Sequence, residues 1–342
     1  MTSSTDKAIA DNAAAGSAVA NNAVANNAVA TLDERQRALL PGPDDVAFYR
    51  EHGYWISPVI LPGDVLDAAE RGMRRYYAGD YDADPPGVGG FRPGDGHGLR
   101  KHDYASLRVD ELARLVRYPL IGASAAVLSG SPGVRLWHDQ LLYKPVDDAG
   151  VPANVGWHTD RQYWLSCESD EMLTAWVGFH DVDEAGGSVS FMDGSHRWDV
   201  TGLDFFAQDL AALADRLTRQ GHRIAPRPTR MRRGQVSFHH CRTVHGSGPN
   251  TGEQPRRSLA IHLQPAGNRW RRHPTATGEP ARHGNDRLVR TVDGATGGTP
   301  DYADPRICPT LWPPKAAQAP GASARTAGGT ASTAPSGPAA TG

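Results

Sequence analysis

Gly156-Trp157-His158-Thr159-Asp160-Arg161 decides how this chain is read, together with a distal half that runs His245-Gly246-Ser247-Gly248-Pro249-Asn250 and ends at Pro255-Arg256. On an extended strand, side chains at i and i+2 leave the same face. His158 and Asp160 can therefore grip one ion together, while Trp157 and Thr159 point the other way. A single later histidine, His245, completes three ligands and leaves coordination positions open. Two imidazoles, one carboxylate and vacant positions make the ligand set of non-heme Fe(II) oxygenases. The same set also suits Zn2+. Arg256, eleven residues after His245, adds a planar, permanently charged fork matched to a carboxylate. The four residues predict an iron enzyme that also binds an acidic cosubstrate.

Working outward, the period is two from Val134 onward. Val134, Leu136, His138, Gln140 and Leu142 share one face, and Arg135, Trp137, Asp139, Leu141 and Tyr143 the other. Further strands are predicted at 155–160, 172–181, 188–192, 234–240 and 257–264, separated by turns such as Glu184-Ala185-Gly186-Gly187 and Asp193-Gly194-Ser195. The region before them is helical. Pro43, Asp44 and Asp45 open a helix that Gly53 ends, and Tyr54-Trp55-Ile56 reads as a short strand. A second helix follows Leu61-Pro62-Gly63-Asp64, with Val65, Leu66, Ala69 and Met73 at helical spacing. The Gly- and Pro-rich run 82–98 is a loop, and 106–128 is helical with a break at Pro119. One helical insertion is expected among the strands, at 203–220. Many short strands after a helical start predict a mainly β protein, a jelly-roll-like double-sheet barrel with N-terminal and flanking helices. The aromatics Tyr302 and Trp312 in 267–314 lack periodicity, so that segment is expected to cover the barrel.

Residues 1–32 form a low-complexity tail in which Ala20-Asn21-Asn22-Ala23-Val24 recurs as Ala25-Asn26-Asn27-Ala28-Val29. Ala, Gly, Ser, Thr and Pro dominate 315–342. Neither tail has the apolar surface to offset its ordering entropy, which leaves 33–314 as the folded domain. Of the 342 residues, the formal charge balance is −2, which gives no reason to expect a nucleic-acid or membrane-surface partner. No apolar run approaches the roughly 18 residues of a membrane helix. The first residues lack the basic start and apolar core of a secretory signal. Cys167, Cys241 and Cys308 are scattered and odd in number, which fits a reduced cytoplasmic setting rather than a disulfide framework.

The ordered set of motifs resembles the phytanoyl-CoA dioxygenase family of Fe(II)- and 2-oxoglutarate-dependent oxygenases over about 45–265. It comprises Phe48 to Tyr54, His138-Asp139-Gln140, Tyr143-Lys144-Pro145, Trp157-His158-Thr159-Asp160, Thr174-Ala175-Trp176, Gly186-Gly187-Ser188, Gly194-Ser195-His196, and His239-His240 with Arg242-Thr243-Val244-His245-Gly246-Ser247-Gly248. The resemblance implies a double-stranded β-helix. It implies His158, Asp160 and His245 on Fe(II), and Arg256 on the far carboxylate of 2-oxoglutarate, with Gln140, Trp176 and Ser247 around that cosubstrate. Asp193 departs from the family, where a proline often precedes the Gly-Ser-His turn. Related halogenases replace the metal-binding carboxylate with a small residue, so Asp160 implies oxygenation rather than halogenation.

Other side chains compete for these roles. Arg257 rivals Arg256, but it is in phase with Leu259, Ile261 and Leu263, whereas Arg256 shares a face with Ser258, Ala260 and His262. His239 and His240 read as packing groups or supports behind the ligands. His180 and His196 read as structural, and His262 as either structural or a cavity contact. Arg100 and Lys101 are candidate cosubstrate contacts. The basic run Arg269, Arg271, Arg272 and His273 is either a solvated surface or a receiver for an anionic substrate. The reading is thus an oxygenase that uses Fe(II), 2-oxoglutarate and O2 to hydroxylate a small organic molecule, releasing succinate and CO2. A specialised-metabolite intermediate, free or tethered to a carrier protein, is favoured over an acyl-CoA, because no extended cationic surface is visible beyond 269–273. The alternative is a non-oxidative metal-binding hydrolase or isomerase of cupin type, or a binding protein that keeps the fold.

Overall fold

The computed structural model describes residues 31–92, 98–147, 153–275, 277–293 and 298–314. Residues 1–30 and 315–342 of the expected tails, and 93–97 of the expected loop, lie outside them.

The helical start forms as its end signals dictate. After α1 (Glu34–Ala38), α2 (Pro43–His52) begins on its proline and ends at Gly53, whose φ of 81° is left-handed backbone open to glycine without steric cost. β1 (Tyr54–Ile56) leads to α3 (Gly63–Ala78), which buries Leu66, Ala69, Gly72, Met73 and Tyr76 along one stripe. A Cβ on Gly72 would stand 2.9 Å from Glu111 Cβ, so glycine allows α3 to pack closely on α4 (Asp110–Val116). Pro119 is the first residue of α5 (Pro119–Ser129). Between α3 and α4 lies β2 (Arg100–Asp103), a strand whose four partly exposed residues offer no alternation to read.

The remaining elements are β3 (Val134–Lys144), β4 (Val155–His158), β5 (Leu173–Gly178), β6 (Ser190–Met192), α6 (Leu210–Arg219), β7 (Pro226–Pro228), β8 (Val236–His240), β9 (His245–Ser247) and β10 (Arg256–Pro265). They are followed by α7 (Asn285–Leu288), β11 (Thr291–Val292), β12 (Thr299–Pro300) and β13 (Thr310–Trp312). The larger sheet has the order β1-β8-β5-β10-β3-β13, with β2 also on β3, and the smaller has β4-β9-β6-β7. Among the described residues every strand pairing within them is antiparallel. One face of the larger sheet, with Leu141, Ala175, Val177, Leu259 and Ile261, packs on the helices through Leu112, Leu115, Leu120 and Ile121. Its other face meets the smaller sheet across a cavity lined from both sides. This is the double-stranded β-helix expected from the sequence.

Three expectations change. The alternation over 134–143 is broken by a register shift, where Leu263 pairs with Leu136 while His262 pairs with His138. Trp137 is the extra residue of this bulge. Val134 and Leu136 therefore join the helix-side core, while His138, Gln140 and Leu142 face the cavity side. Second, the 203–220 insertion is helical only over Leu210–Arg219, capped by the Asp209 side chain accepting from the Ala212 amide. Residues 203–209 instead form an irregular loop that turns Phe205 inward, and a Cβ on Gly156 would collide with the Asp204 carbonyl. Third, the 267–314 segment is more than a cover, because Leu311 and Trp312 sit in β13 on the edge of the larger sheet.

Candidate active site

His158 and His245 are directly paired across β4 and β9, with ring centroids 4.1 Å apart. The predicted strand 155–160 ends at His158, and Asp160 opens a 3-10 turn (Asp160–Tyr163). Thr159 keeps extended backbone (φ −115°, ψ 142°), so Asp160 still emerges on the side of His158. Asp160 Oδ1 lies 3.9 Å from His158 Nε2 and 3.7 Å from His245 Nε2. The three donor atoms lie within 4.8 Å of one another and all three residues are buried. His158 Nδ1 donates to the Gly156 carbonyl at 2.8 Å, and His245 Nδ1 donates to the Thr243 carbonyl at 2.9 Å. These bonds select the tautomer that leaves both Nε2 lone pairs free toward Asp160. Burial lowers both imidazole pKa values, His245 further because His158 is beside it. Both are thus neutral, as metal ligation requires.

Asp160 is braced on its second oxygen. Thr174 Oγ1 donates to Oδ2 at 2.6 Å and receives a bond from His262 Nδ1 at 2.7 Å. His239 Nε2 stands 3.3 Å from the same oxygen. Burial alone would raise the Asp160 pKa, but His245 and His239, with His262 beyond, hold it well below the usual carboxylate range. His239 thus backs the ligand set, and His240, on the opposite strand face, lies 3.9 Å from Glu171. His180 and His196 bond to backbone away from the site.

At the other end of the cavity stands Arg256, 1% exposed. Its Nη1 donates to the Gly187 carbonyl and, at 3.4 Å, to Ser247 Oγ. Its Nε has no partner among the described residues, and its guanidinium lies 5.4 Å from the Trp176 ring centroid. Burial pushes its pKa down to about 10. Arg257 points the opposite way and pairs with Glu70 of α3 at 2.5 Å, so the predicted phase of β10 is correct. Gln140, Trp176, Ser247 and Arg256 all line this inner cavity with His158, Asp160 and His245.

The sequence reading missed Lys144 as a member of this group. Lys144 is fully buried and lies directly opposite Arg256 in the sheet register. Its Nζ donates to Ser247 Oγ at 2.6 Å and to the Gly248 carbonyl at 2.5 Å. Burial lowers its pKa strongly, and Arg256 lowers it further. The signal was available, since Lys144 continues the phase of His138, Gln140 and Leu142 by one more step.

A second, outer cavity of 430 Å3 shares Gln140, His158, Asp160, Phe205 and His262 with the inner one and is bounded by Tyr163, Trp164 and Phe206. Lys101 lines it and pairs with Asp103 at 2.9 Å. Arg100 turns onto the Tyr77, Phe91 and Tyr143 rings and lines neither the inner nor the outer cavity. Of the basic run, Arg269 lines a separate cavity with Asn268 and Tyr302, and none of the four lines the inner or outer cavity.

A double-stranded β-helix with two histidines and an aspartate converging between its sheets defines the class of protein. Residues 49–258 match the phytanoyl-CoA dioxygenase family, and the chain belongs to it. Among curated relatives, a probable alpha-ketoglutarate-dependent hypophosphite dioxygenase of Stutzerimonas stutzeri is 29% identical over 168 residues, covering 48% of this chain and 56% of that protein. The peroxisomal phytanoyl-CoA dioxygenase of Mus musculus is 23% identical, covering 63% and 66%. The match therefore spans under two thirds of each relative's length. Among solved structures, the epimerase SnoN in complex with Fe3+, alpha ketoglutarate and nogalamycin RO superposes with a TM-score of 0.58 at 26% identity, covering 78% of this chain and 97% of that one.

Proposed function

We propose that this protein is an Fe(II)- and 2-oxoglutarate-dependent dioxygenase that hydroxylates a small organic molecule, a specialised-metabolite intermediate, in the cytoplasm. The observation that carries the reading is one buried cavity with a neutral two-imidazole, one-carboxylate set at one end and, at the other, Arg256 with no acidic partner among the described residues. The donor set fits Fe(II), with His158 Nε2, His245 Nε2 and an Asp160 oxygen as ligands. The Arg256 end fits the far carboxylate of 2-oxoglutarate, because a buried guanidinium is costly until an anion meets it. Ser247, whose hydroxyl accepts from Lys144 and Arg256, and Gln140 and Trp176 along the walls complete that pocket. The SnoN complex holds iron, as Fe3+, together with alpha ketoglutarate, which supports the assignment.

When bound, iron and 2-oxoglutarate together supply an oxidant from O2, with succinate and CO2 as coproducts. The chain's part is orientation and exclusion of water. The Gly156 and Thr243 carbonyls aim the two imidazoles, and Thr174 fixes the rotation of Asp160. Phe205, against the His158 ring at 4.8 Å between centroids, shields the ligand from solvent. A zinc hydrolase would have no use for Arg256, which disfavours the non-oxidative alternative. Among the described residues no helix is long and apolar enough to cross a membrane. The test is to add 2-oxoglutarate to the anaerobic Fe(II) protein. A weak visible charge-transfer band is expected, and its absence in wild type with Fe(II) retained would sink the proposal. Product analysis then separates hydroxylation from the epimerisation named for SnoN.

A further inference from the structure

The outer cavity contains ring nitrogens of His138 and His262 that the proposed iron and cosubstrate sites leave unused, although His262 Nδ1 braces Asp160 through Thr174. His138 and His262 stand on its wall at 4% and 3% exposure, with ring centroids 4.3 Å apart. Neither ring nitrogen of His138 has a hydrogen-bond partner among the described residues, and neither does Nε2 of His262. A buried polar group left unpaired costs about 1–3 kcal/mol, so these atoms point to a ligand that completes them. The required chemistry follows from proton bookkeeping. Thr174 gives its one hydroxyl proton to Asp160, so the 2.7 Å contact with His262 is a bond donated by Nδ1. His262 Nε2 is then an acceptor and needs an O–H or N–H from the ligand. A neutral His138 offers one donor and one acceptor, which a hydroxyl satisfies.

The mouth of the cavity differs in character. Lys101 and Asp103 neutralise each other at 2.9 Å. Arg282 and Arg287 also line the cavity, and neither guanidinium pairs with a carboxylate among the described residues. Trp164, Tyr163, Phe205 and the 70% exposed Phe206 supply flat apolar walls. A bare alkyl chain would leave the imidazoles unpaired, and a neutral ligand would make no use of the two exposed arginines.

We propose that this cavity takes a hydroxylated, ring-bearing small molecule with an acidic group, its hydroxyls bonded to His138 and His262 and its acid turned to Arg282 and Arg287. This rests on the oxygenase reading only in assigning the inner cavity to 2-oxoglutarate. It excludes a fatty-acyl substrate of the kind named for the mammalian relative.

Calorimetry on the full chain, anaerobic and loaded with Fe(II) and 2-oxoglutarate, tests it with three probes. Phenyl glucuronide carries ring, hydroxyls and acid; phenyl glucoside lacks the acid; octanoate lacks ring and hydroxyls. The glucuronide should bind about tenfold or more tighter than either, a difference of about 1.4 kcal/mol. Replacing Arg282→Ala and Arg287→Ala together should bring it down to the glucoside's affinity and leave the glucoside unchanged. These arginines are exposed, so folding is not at issue. His138→Leu should weaken both glycosides. Octanoate binding as tightly as the glucuronide, no preference for the acid, or no binding by any probe would overturn the proposal. The charge-transfer band is measured on the same sample, so a lost band marks failure of the oxygenase reading, and an intact band with the wrong probe order marks failure of this one.

Discussion

Replacing Arg256 tests both ends of the argument at once. The guanidinium is buried beside Lys144 with a carbonyl and a hydroxyl as partners and no acid. Truncating one partner of a buried charge pair costs about 2–5 kcal/mol, which is roughly thirtyfold to several-thousandfold in affinity. Lys144 remains 2.6 Å from Ser247 Oγ as a hydrogen-bond donor, and losing Arg256 removes a charge that lowers its pKa, so the lower half of that range is expected for Arg256→Ala. Without cosubstrate the sign differs. An unpaired buried charge is poor value for stability, so Arg256→Met should leave the melting temperature of the cosubstrate-free chain unchanged or raised, while 2-oxoglutarate affinity collapses. Arg256→Lys should restore only part of the affinity, since a point charge lacks the fork. Titration of the anaerobic Fe(II) protein with 2-oxoglutarate, read by the visible band, measures all three. Arg257→Ala is the matched control. It breaks a half-exposed pair with Glu70 and should cost about 0–1 kcal/mol of stability, with no change in the titration. If Arg257 governs the titration and Arg256 does not, the assignment of β10 faces is wrong.

Thr174→Val removes the bond that sets the rotation of Asp160 and should weaken Fe(II) retention about 10–100-fold, as measured against a competing chelator. Unchanged retention would show that His239 alone orients the carboxylate. Burial lowers His240 and His262 to about 4 and His283 to about 3. Below the unfolded value near 6.5 the unfolded chain binds protons that the native chain does not. Their contribution is therefore present above that pH and is lost as pH falls toward 4, at up to about 1.4 kcal/mol per pH unit per group. Urea midpoints between pH 6.5 and 4 should fall accordingly, less steeply in His283→Asn, and an identical slope in that variant would contradict the lowered pKa of this half-buried imidazole. Deleting residues 1–30 and 320–342 should leave turnover and melting temperature nearly unchanged, because those tails hold too little apolar surface to pack; a large loss of either would place them in the folded unit.

Much of the site was legible because it obeys local rules. Strand phase separated Arg256 from Arg257, and the extended backbone through Thr159 brought His158 and Asp160 to one side even though the strand ends between them. Cross-strand pairing of His158 with His245 needed only that β4 and β9 be neighbours. What failed was whatever depended on distant partners. The bulge at Trp137 shifts phase because β10 opposes β3 with one residue fewer, which no inspection of 134–143 alone can show. The loop 203–209 carries apolar residues at helical spacing, yet the open space over Gly156 draws it inward, where its backbone bonds the smaller sheet at 2.8 Å. β2 offers four half-exposed residues without alternation, and only its pairing with β3 makes it a strand.

The same division separates chemistry from specificity. The inner cavity is built from strands: His158 on β4, His245 on β9, Thr174 on β5, Arg256 on β10 and Lys144 on β3. Their relative positions are held by ladders of backbone bonds, so a cosubstrate common to a family can be bound by residues in fixed phase. The outer cavity takes only His138, Gln140 and His262 from the long central strands. Besides His158 of β4 and the edge residues Lys101, Asp103 and Tyr104, its walls come from the turn at 160–164, the loop at 205–206 and the segment 282–287, whose courses are set by contacts far apart in sequence. Loops of that kind can change without disturbing the ladders that hold the ligand set. On the proposed assignment of the outer cavity to substrate, exchanging Phe205, Phe206, Arg282 and Arg287 should alter which molecule is oxidised before it alters whether 2-oxoglutarate is consumed.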